Sequence, residues 1–372
     1  MKFILGGAAL IIAVLTTISL FAVDKELVMR AESLFEAVPD TSPGAAIMVI
    51  QDGAVVLQRG FGTTDLRSHQ RIDQHTNFRL ASLTKQFTAT AIMLLVHDGK
   101  LRYDQNLTQI FPEFPAYGRK ITIRQLLNHT SGLLDYEDLL AQQYKGTPED
   151  QIPQIKDAGV LALMEKATTP KFPPGSKWAY SNSGYCVLAM VVERVSGKSF
   201  GDFLQARIFG PLKMTDTIAY VKGKNEVKNR AYGHAVDGAN ARETDQSPTS
   251  ATLGDGGVYT SLADLAKWDA ALTQHTLLSA KEMEPALQPV APTGGPAEEN
   301  GLSVSYGFGW FVNPYKKHDR MWHYGETIGF RTSIQRFPKD HLTVVVLCNR
   351  ADMNAIQSAL EISDLFLGEH PY

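Results

Sequence analysis

Cysteine is scarce in this 372-residue chain: only Cys186 and Cys348 occur, each inside an apolar stretch. Two such thiols exclude a disulfide-stapled scaffold and are too few for a thiolate metal cluster, so both read as buried free thiols. A strong charge of either sign is also missing. The formal net charge is −3 and charged residues make up 20% of the chain, which leaves neither the basic footprint that nucleic acid requires nor an acidic disordered tail. No internal repeat is present, and no lipid-attachment cysteine follows the first apolar run. That run, Phe3 to Ala22, lies almost uncharged between Met1-Lys2 and Asp24-Lys25. A buried core helix would show polar residues at helical spacing along its length; this segment holds no charged residue and only Thr16, Thr17 and Ser19 as polar side chains, all near its end, and it reads as a signal peptide or, being just long enough to span a bilayer, a membrane anchor. The expectation is an exported protein, periplasmic or anchored facing the periplasm or the extracellular side.

With 44% apolar residues the remaining chain can bury a large core. Residues 25 to 37 carry an amphipathic helical pattern. Ala45 to Gln51 and Ala54 to Gln58 are apolar, partly β-branched runs joined by Asp52-Gly53, a two-residue hairpin signal. Near the other end, Tyr306 to Val312, Thr327 to Phe337 and Leu342 to Leu347 also read as strands, followed by a helix from about Asp352 to Leu367. A lone hairpin is marginal in water, so the early strands are expected to join the late ones in one antiparallel sheet. Helical patterns fill the middle: Leu83 to Asp98, a short helix capped by Thr122, Asn182 to Val195, Phe200 to Phe209, and one started by Ser261 and Asp264. Val221 to Thr252 and Pro289 to Asn300 read as surface excursions. The fold class is therefore α/β (α+β): an antiparallel sheet from the N- and C-terminal segments, flanked by helices, with a mostly helical inserted domain. In domain terms this is residues 1–22 as leader and 25–370 as the functional unit, with a sheet part about 25–80 and 305–370 and a helical part about 83–300.

Three motifs carry chemistry. Ser82-Leu83-Thr84-Lys85 sets a hydroxyl and an amine on one face at a helix start. A serine is a poor nucleophile until a neighbour takes its proton, and a buried lysine can lower that cost; the helix N-terminus adds N–H groups where an oxyanion would form. Alone the pattern is weak, since average lysine usage predicts about one accidental match in a chain this long. Tyr180-Ser181-Asn182 follows the rigid Pro173-Pro174-Gly175 turn. A tyrosine beside an ammonium can lose its proton more easily and act as base, and the Asn182 amide can hold Lys85 and a substrate carbonyl; a helix cap is the plainer role for Asn182. His323-Tyr324-Gly325 begins a β region, where a glycine lets a substrate backbone approach the strand edge. His97-Asp98-Gly99 has the same letters but sits at a helix end, which explains it fully.

The order S-x-x-K, Y-x-N, H-x-G resembles the serine β-lactamase and penicillin-binding family, in its class C, D-Ala-D-Ala carboxypeptidase and esterase branch. The stretches Leu126 to Leu133, Phe172 to Met214 and Gly256 to Ser261 with Trp268 extend the resemblance over roughly residues 27 to 350. It implies Ser82 as nucleophile, Lys85 as its electrostatic partner, Tyr180 as base and later acid, Asn182 as a positioning amide and His323 as part of the catalytic set. It also implies an oxyanion hole from the backbone N–H groups of Ser82 and Glu326, with Gly325 and Tyr324 against the substrate. Tyr180 and Lys85 form one coupled pair. His129 is read as support for the Asn128 to Gly132 turn, and Asp255 as part of its loop.

Two positions depart from the family pattern. Class C β-lactamases usually have lysine where His323 stands and a small hydroxyl residue where Tyr324 stands. A histidine is largely neutral near pH 7 and a tyrosine is bulky, so the site is less biased toward anionic substrates. The expected function is a serine hydrolase forming an acyl-enzyme on Ser82 with an amide or ester: a D-amino-acid peptide, a β-lactam or a small ester. The alternative is a membrane-tethered penicillin-binding receptor, or a non-turnover scaffold of the same fold. The partner is a small-molecule or peptide substrate, with no nucleic acid, possible membrane anchoring through residues 3–22, no metal, and no cofactor required by the chemistry.

Overall fold

The computed structural model describes residues 24–238, 240–288 and 304–369. The apolar leader and the Pro289 to Asn300 excursion lie outside the described residues. Among the described residues no helix is long and apolar enough to cross a membrane.

Eleven strands are described. The hairpin expected at Asp52-Gly53 joins β1 (Ala45–Gln51) to β2 (Ala54–Phe61). Both turn residues have positive φ, 50° and 79°, the geometry whose twist matches the flanking strands. Short strands β3 (Phe78–Arg79), β4 (Ile218–Ala219) and β7 (Val258–Thr260) form a three-stranded sheet, and β5 (His234–Asp237) pairs with β6 (Asn240–Glu243) inside the polar excursion. β8 (Phe311–Val312), β9 (Met321–Glu326), β10 (Arg331–Phe337) and β11 (Leu342–Cys348) complete the main sheet, in the order β2-β1-β11-β10-β9-β8. β1 pairs antiparallel with β11 from Ala45↔Cys348 to Gln51↔Leu342, so segments from the two ends of the chain form the sheet's centre.

Alternation splits β1 between two cores. Ala45, Ile47 and Val49 join Ala31, Phe35, Ala359 and Ile362 under the terminal helices Lys25–Ser33 and Ala355–Leu367. Ala46, Met48 and Ile50 face the larger core, built on helices. At its centre runs the helix Lys85–His97, buried on every side from Lys85 to Leu95, as expected of a helix apolar all round. Phe87 packs on Trp268 and Phe209 with ring centroids 4.7 and 5.4 Å apart. A buried ion pair, Arg336 Nε to Asp269 Oδ1 at 2.7 Å, ties β10 to the helix Leu262–Thr273.

Three local expectations shift. Tyr306 to Val312 gives only the two-residue β8, with Tyr306 in an isolated bridge to Phe311. β10 starts at Arg331, and β9, which carries His323, is a separate strand before it. Phe200 to Phe209 is an α-helix only to Leu204; it then widens to a π-turn closed by the Gly210 N–H on the Gln205 carbonyl at 2.8 Å, immediately before Pro211, which cannot continue a helix. Cys186 and Cys348 are buried free thiols.

Candidate active site

Ser82 lies in a 3-10 turn, Ala81–Thr84, directly before the helix that begins at Lys85. Three residues per turn eclipses positions i and i+3, so Lys85 Nζ sits over Ser82 and donates to its Oγ at 2.9 Å. Ala81, just before the serine, has φ of 50°, a left-handed conformation that costs a non-glycine residue about 1 kcal/mol or more. The surroundings hold it there. Leu80 N–H donates to the Val258 carbonyl, Thr332 Oγ1 donates to the Leu80 carbonyl at 2.8 Å, and Val258 N–H donates to Thr84 Oγ1 at 3.2 Å.

Lys85 is fully buried. Its ammonium also donates to Asn182 Oδ1 and to the Asp255 carbonyl, each at 2.9 Å, and lies 4.9 Å from the centre of the Tyr180 ring. Burial pushes its pKa down to about 8, against the opposing pull of Asp255. Tyr180 shares a hydrogen bond with Ser82. Here the expectation from sequence needs correction: loss of hydration pushes the phenol well above its ordinary range, outweighing the Ser82 hydrogen bond. In the Tyr180 and Lys85 pair, the amine is therefore the group nearer to neutral pH.

Asn182 is the first residue of the helix Asn182–Ser196, and the cap is Ser181, whose Oγ accepts Gly184 N–H at 3.0 Å. The Asn182 side chain is thus free of capping and bridges Lys85 to Glu137, donating to Glu137 Oε1 at 3.1 Å.

His323 and Gly325 point from β9 toward the nucleophile turn. A Cβ on Gly325 would lie 2.2 Å from the Leu80 carbonyl oxygen, so only glycine lets the strand lie this close. His323 is wholly buried, with its ring 6.3 Å from that of Tyr180. Its Nδ1 pairs with the Tyr324 carbonyl at 2.7 Å and must donate there; its Nε2 then accepts from Tyr306 Oη at 2.8 Å. Burial, reinforced by Lys85, pushes its pKa down to about 3. Both nitrogens are engaged within the protein, and the ring is neutral. Tyr324 is partly exposed beside it and Glu326 ends the strand, exposed.

His129 does hold its turn: it takes φ of 63°, its carbonyl accepts Ala179 N–H, and its Nδ1 accepts Ser181 N–H at 3.0 Å. Its ring also lies 4.4 Å from Tyr180. Sequence reading missed Glu137, Tyr306 and the Asp255 carbonyl. A lone Glu or Tyr gives no signal, and a backbone carbonyl gives none at all. A cavity of about 540 Å³ is lined by Asp157, Met190 and Leu253 among others but not by Ser82; convergence of polar groups, rather than volume, marks this site.

A serine hydroxyl, a desolvated lysine and a phenol meeting at a strained turn, on a sheet flanked by helices, define the class of serine hydrolases. A family model described as Beta-lactamase matches residues 31–365, and the chain belongs to that family. Penicillin-binding protein 4* of Bacillus subtilis is 31% identical over 355 residues, covering 92% of this chain and 76% of that protein. A D-aminopeptidase of Cereibacter sphaeroides is 28% identical, and the match covers 92% of this chain but only 63% of the relative. Among solved structures, the octameric penicillin-binding protein homologue from Pyrococcus abyssi superposes with a TM-score of 0.75 at 25% identity, covering 92% of this chain and 76% of that one.

Proposed function

We propose that this serine hydrolase works through an acyl-enzyme on Ser82 and that its substrates are amides or esters whose binding does not depend on a carboxylate beside the scissile bond, D-amino-acid amides and peptides before β-lactams. The observation that carries the reading is the 2.9 Å contact between Lys85 Nζ and Ser82 Oγ, with Tyr180 on the same oxygen. As Ser82 Oγ bonds to the substrate carbonyl carbon, its proton passes to neutral Lys85 across their direct contact, while the Tyr180 phenol stays hydrogen-bonded to the same oxygen. The carbonyl oxygen becomes an oxyanion facing the backbone N–H groups of Ser82 and Glu326. On collapse the bond to the leaving amine or alcohol breaks and that group takes the proton. Water then attacks the ester carbon, giving its proton to the same pair; as the acyl–Oγ bond breaks, that proton returns to Ser82 Oγ and the acid is released. Asn182 positions Lys85, while Gly325 keeps the strand close.

The substrate preference rests on His323 and Tyr324. A neutral imidazole with both nitrogens engaged supplies no cation for a carboxylate. The D-aminopeptidase relative agrees with a substrate of this kind. Export, through the apolar segment Phe3 to Ala22, is part of the same proposal.

Purified protein and Ser82→Ala are compared on nitrocefin, a short nitrophenyl ester and D-alanyl amides, with mass spectrometry of the intact chain. Turnover of ester and D-amide, lost in Ser82→Ala, supports the reading; unchanged turnover in Ser82→Ala ends it. Stoichiometric labelling by a fluorescent penicillin without turnover would identify a receptor instead. Because neutral Lys85 is the acceptor, the acylation rate rises with pH through about 8, and an acid limb absent there would count against Lys85.

A further inference from the structure

Behind Lys85 lies a second polar cluster that the hydrolytic scheme leaves unused. Asp157, the first residue of the helix Asp157–Lys166, is buried, and its two carboxylate oxygens accept Gly254 N–H at 2.9 Å and Leu253 N–H at 2.8 Å. From the opposite side Thr88 Oγ1, on the helix that carries Lys85, donates to the Gly254 carbonyl at 2.6 Å. One residue further, the Asp255 carbonyl receives Lys85 Nζ at 2.9 Å. The Asp255 carboxylate is bound by a different group. Its Oδ2 accepts Tyr136 Oη at 3.0 Å, while its Oδ1 is buried with no hydrogen-bond partner among the described residues. Asp157, Asp255 and Cys186 bring one ligand atom each within 4.8 Å of one another.

A backbone carbonyl holds an ammonium in one place only if its peptide cannot swing. Two consecutive N–H groups before Asp255 are clamped by one carboxylate, and the Gly254 carbonyl that follows them, in the peptide leading to Asp255, is tied to the nucleophile helix. We propose that Asp157 is a positioning residue for the hydrolytic reaction: by clamping Leu253 and Gly254 it fixes the Asp255 carbonyl on Lys85, and so sets how Lys85 exchanges its proton with Ser82. The inference rests on the Ser82 and Lys85 chemistry proposed above. Burial and Asp255 push the Asp157 carboxyl up to about 7; protonated or not, both its oxygens keep a lone pair for an N–H. Asp157 faces Asp255 and Cys186. Lys85 faces Asp255, Cys186, Glu137 and Asp135, which favour its ammonium. The imidazoles of His129 and His323 and the phenols of Tyr180 and Tyr185 also stand near it.

Asp157→Asn keeps the volume but turns an NH2 toward one of the two N–H donors. Thr88→Val removes the other tether with little change of shape. Two readouts are taken on the full chain: the rate of Ser82 labelling by a fluorophosphonate probe from about pH 5 to 10, and the midpoint of the Lys85 13Cε NMR titration, assigned with Lys85→Arg. In Asp157→Asn the plateau labelling rate falls about 10- to 100-fold, ester KM stays within about twofold, and the Lys85 midpoint moves to lower pH, because an acceptor that favours the ammonium is lost. Thr88→Val moves both in the same direction by less, and decides the matter should Asp157→Asn fail to fold. A Lys85 midpoint equal to wild type in the folded variants overturns the proposal, even where the melting temperature drops. Should the probe label wild type no faster than Ser82→Ala, the hydrolytic reading fails; the NMR midpoint still reports whether Asp157 governs Lys85.

Discussion

The chain contains the letters H-x-G at 97–99 and at 323–325, and the two copies share almost nothing physically. His97 ends a helix half in solvent, with Nδ1 2.6 Å from Glu282 Oε1, and Gly99 takes φ of 68° with open space where a Cβ would stand. His323 is sealed on both nitrogens inside an aromatic cluster, and Gly325 keeps an ordinary φ but has a carbonyl oxygen 2.2 Å from the missing Cβ. At Gly99 the glycine is needed for its backbone freedom; at Gly325 it is needed for its lack of bulk. The same residue type meets two different constraints, and only one of them touches the nucleophile turn.

The sharpest way to break this contrast is Gly325→Ala. The added methyl pushes β9 off Leu80 and Ala81, and kcat/KM for an ester should fall by about 100-fold or more as the geometry around Ser82 loosens. Enzyme kinetics, with circular dichroism to establish that the fold persists, would check it. Next is His323→Gln, read in denaturant midpoints against pH. The imidazole's pKa falls from 6.5 unfolded to about 3 folded, so its contribution is complete above about pH 6.5 and is lost as pH falls toward 3. That contribution is on the order of a few kcal/mol, and the variant's stability should vary less steeply across this window. Gly99→Ala should cost about 1 kcal/mol from its left-handed φ, visible in the denaturant midpoint, with kcat/KM unchanged. Smallest is His97→Ala, which breaks an exposed pair and should move the melting temperature by no more than about 2 °C and leave catalysis alone.

Much of the frame was readable because its signals are local. The Asp52-Gly53 turn needs only two residues that tolerate positive φ, and Thr122 and Ser261 cap their helices through groups three positions away. The S-x-x-K pair was likewise local, since a turn of helix brings those positions together by itself. What could not be read depends on long-range approach. Asp255 reaches Lys85 from 170 positions away through a backbone carbonyl that every residue possesses. Tyr306 reaches His323 from a segment whose apolar letters suggested a longer strand than forms. The ease of ionising Tyr180 was misjudged for the same reason: a neighbouring ammonium is visible in the motif order, but the burial that outweighs it is a property of packing.

Sequence alone determined which chemistry is on offer: a hydroxyl, an amine, a phenol and an imidazole in a fixed order, and strands and helices with the right periods to carry them. Tertiary structure decided the state in which each group is held. Desolvation scales with what surrounds a group in three dimensions, so the fall of Lys85 to about 8 and the silencing of His323 arise only where the sheet edge closes on the helix that begins at Lys85.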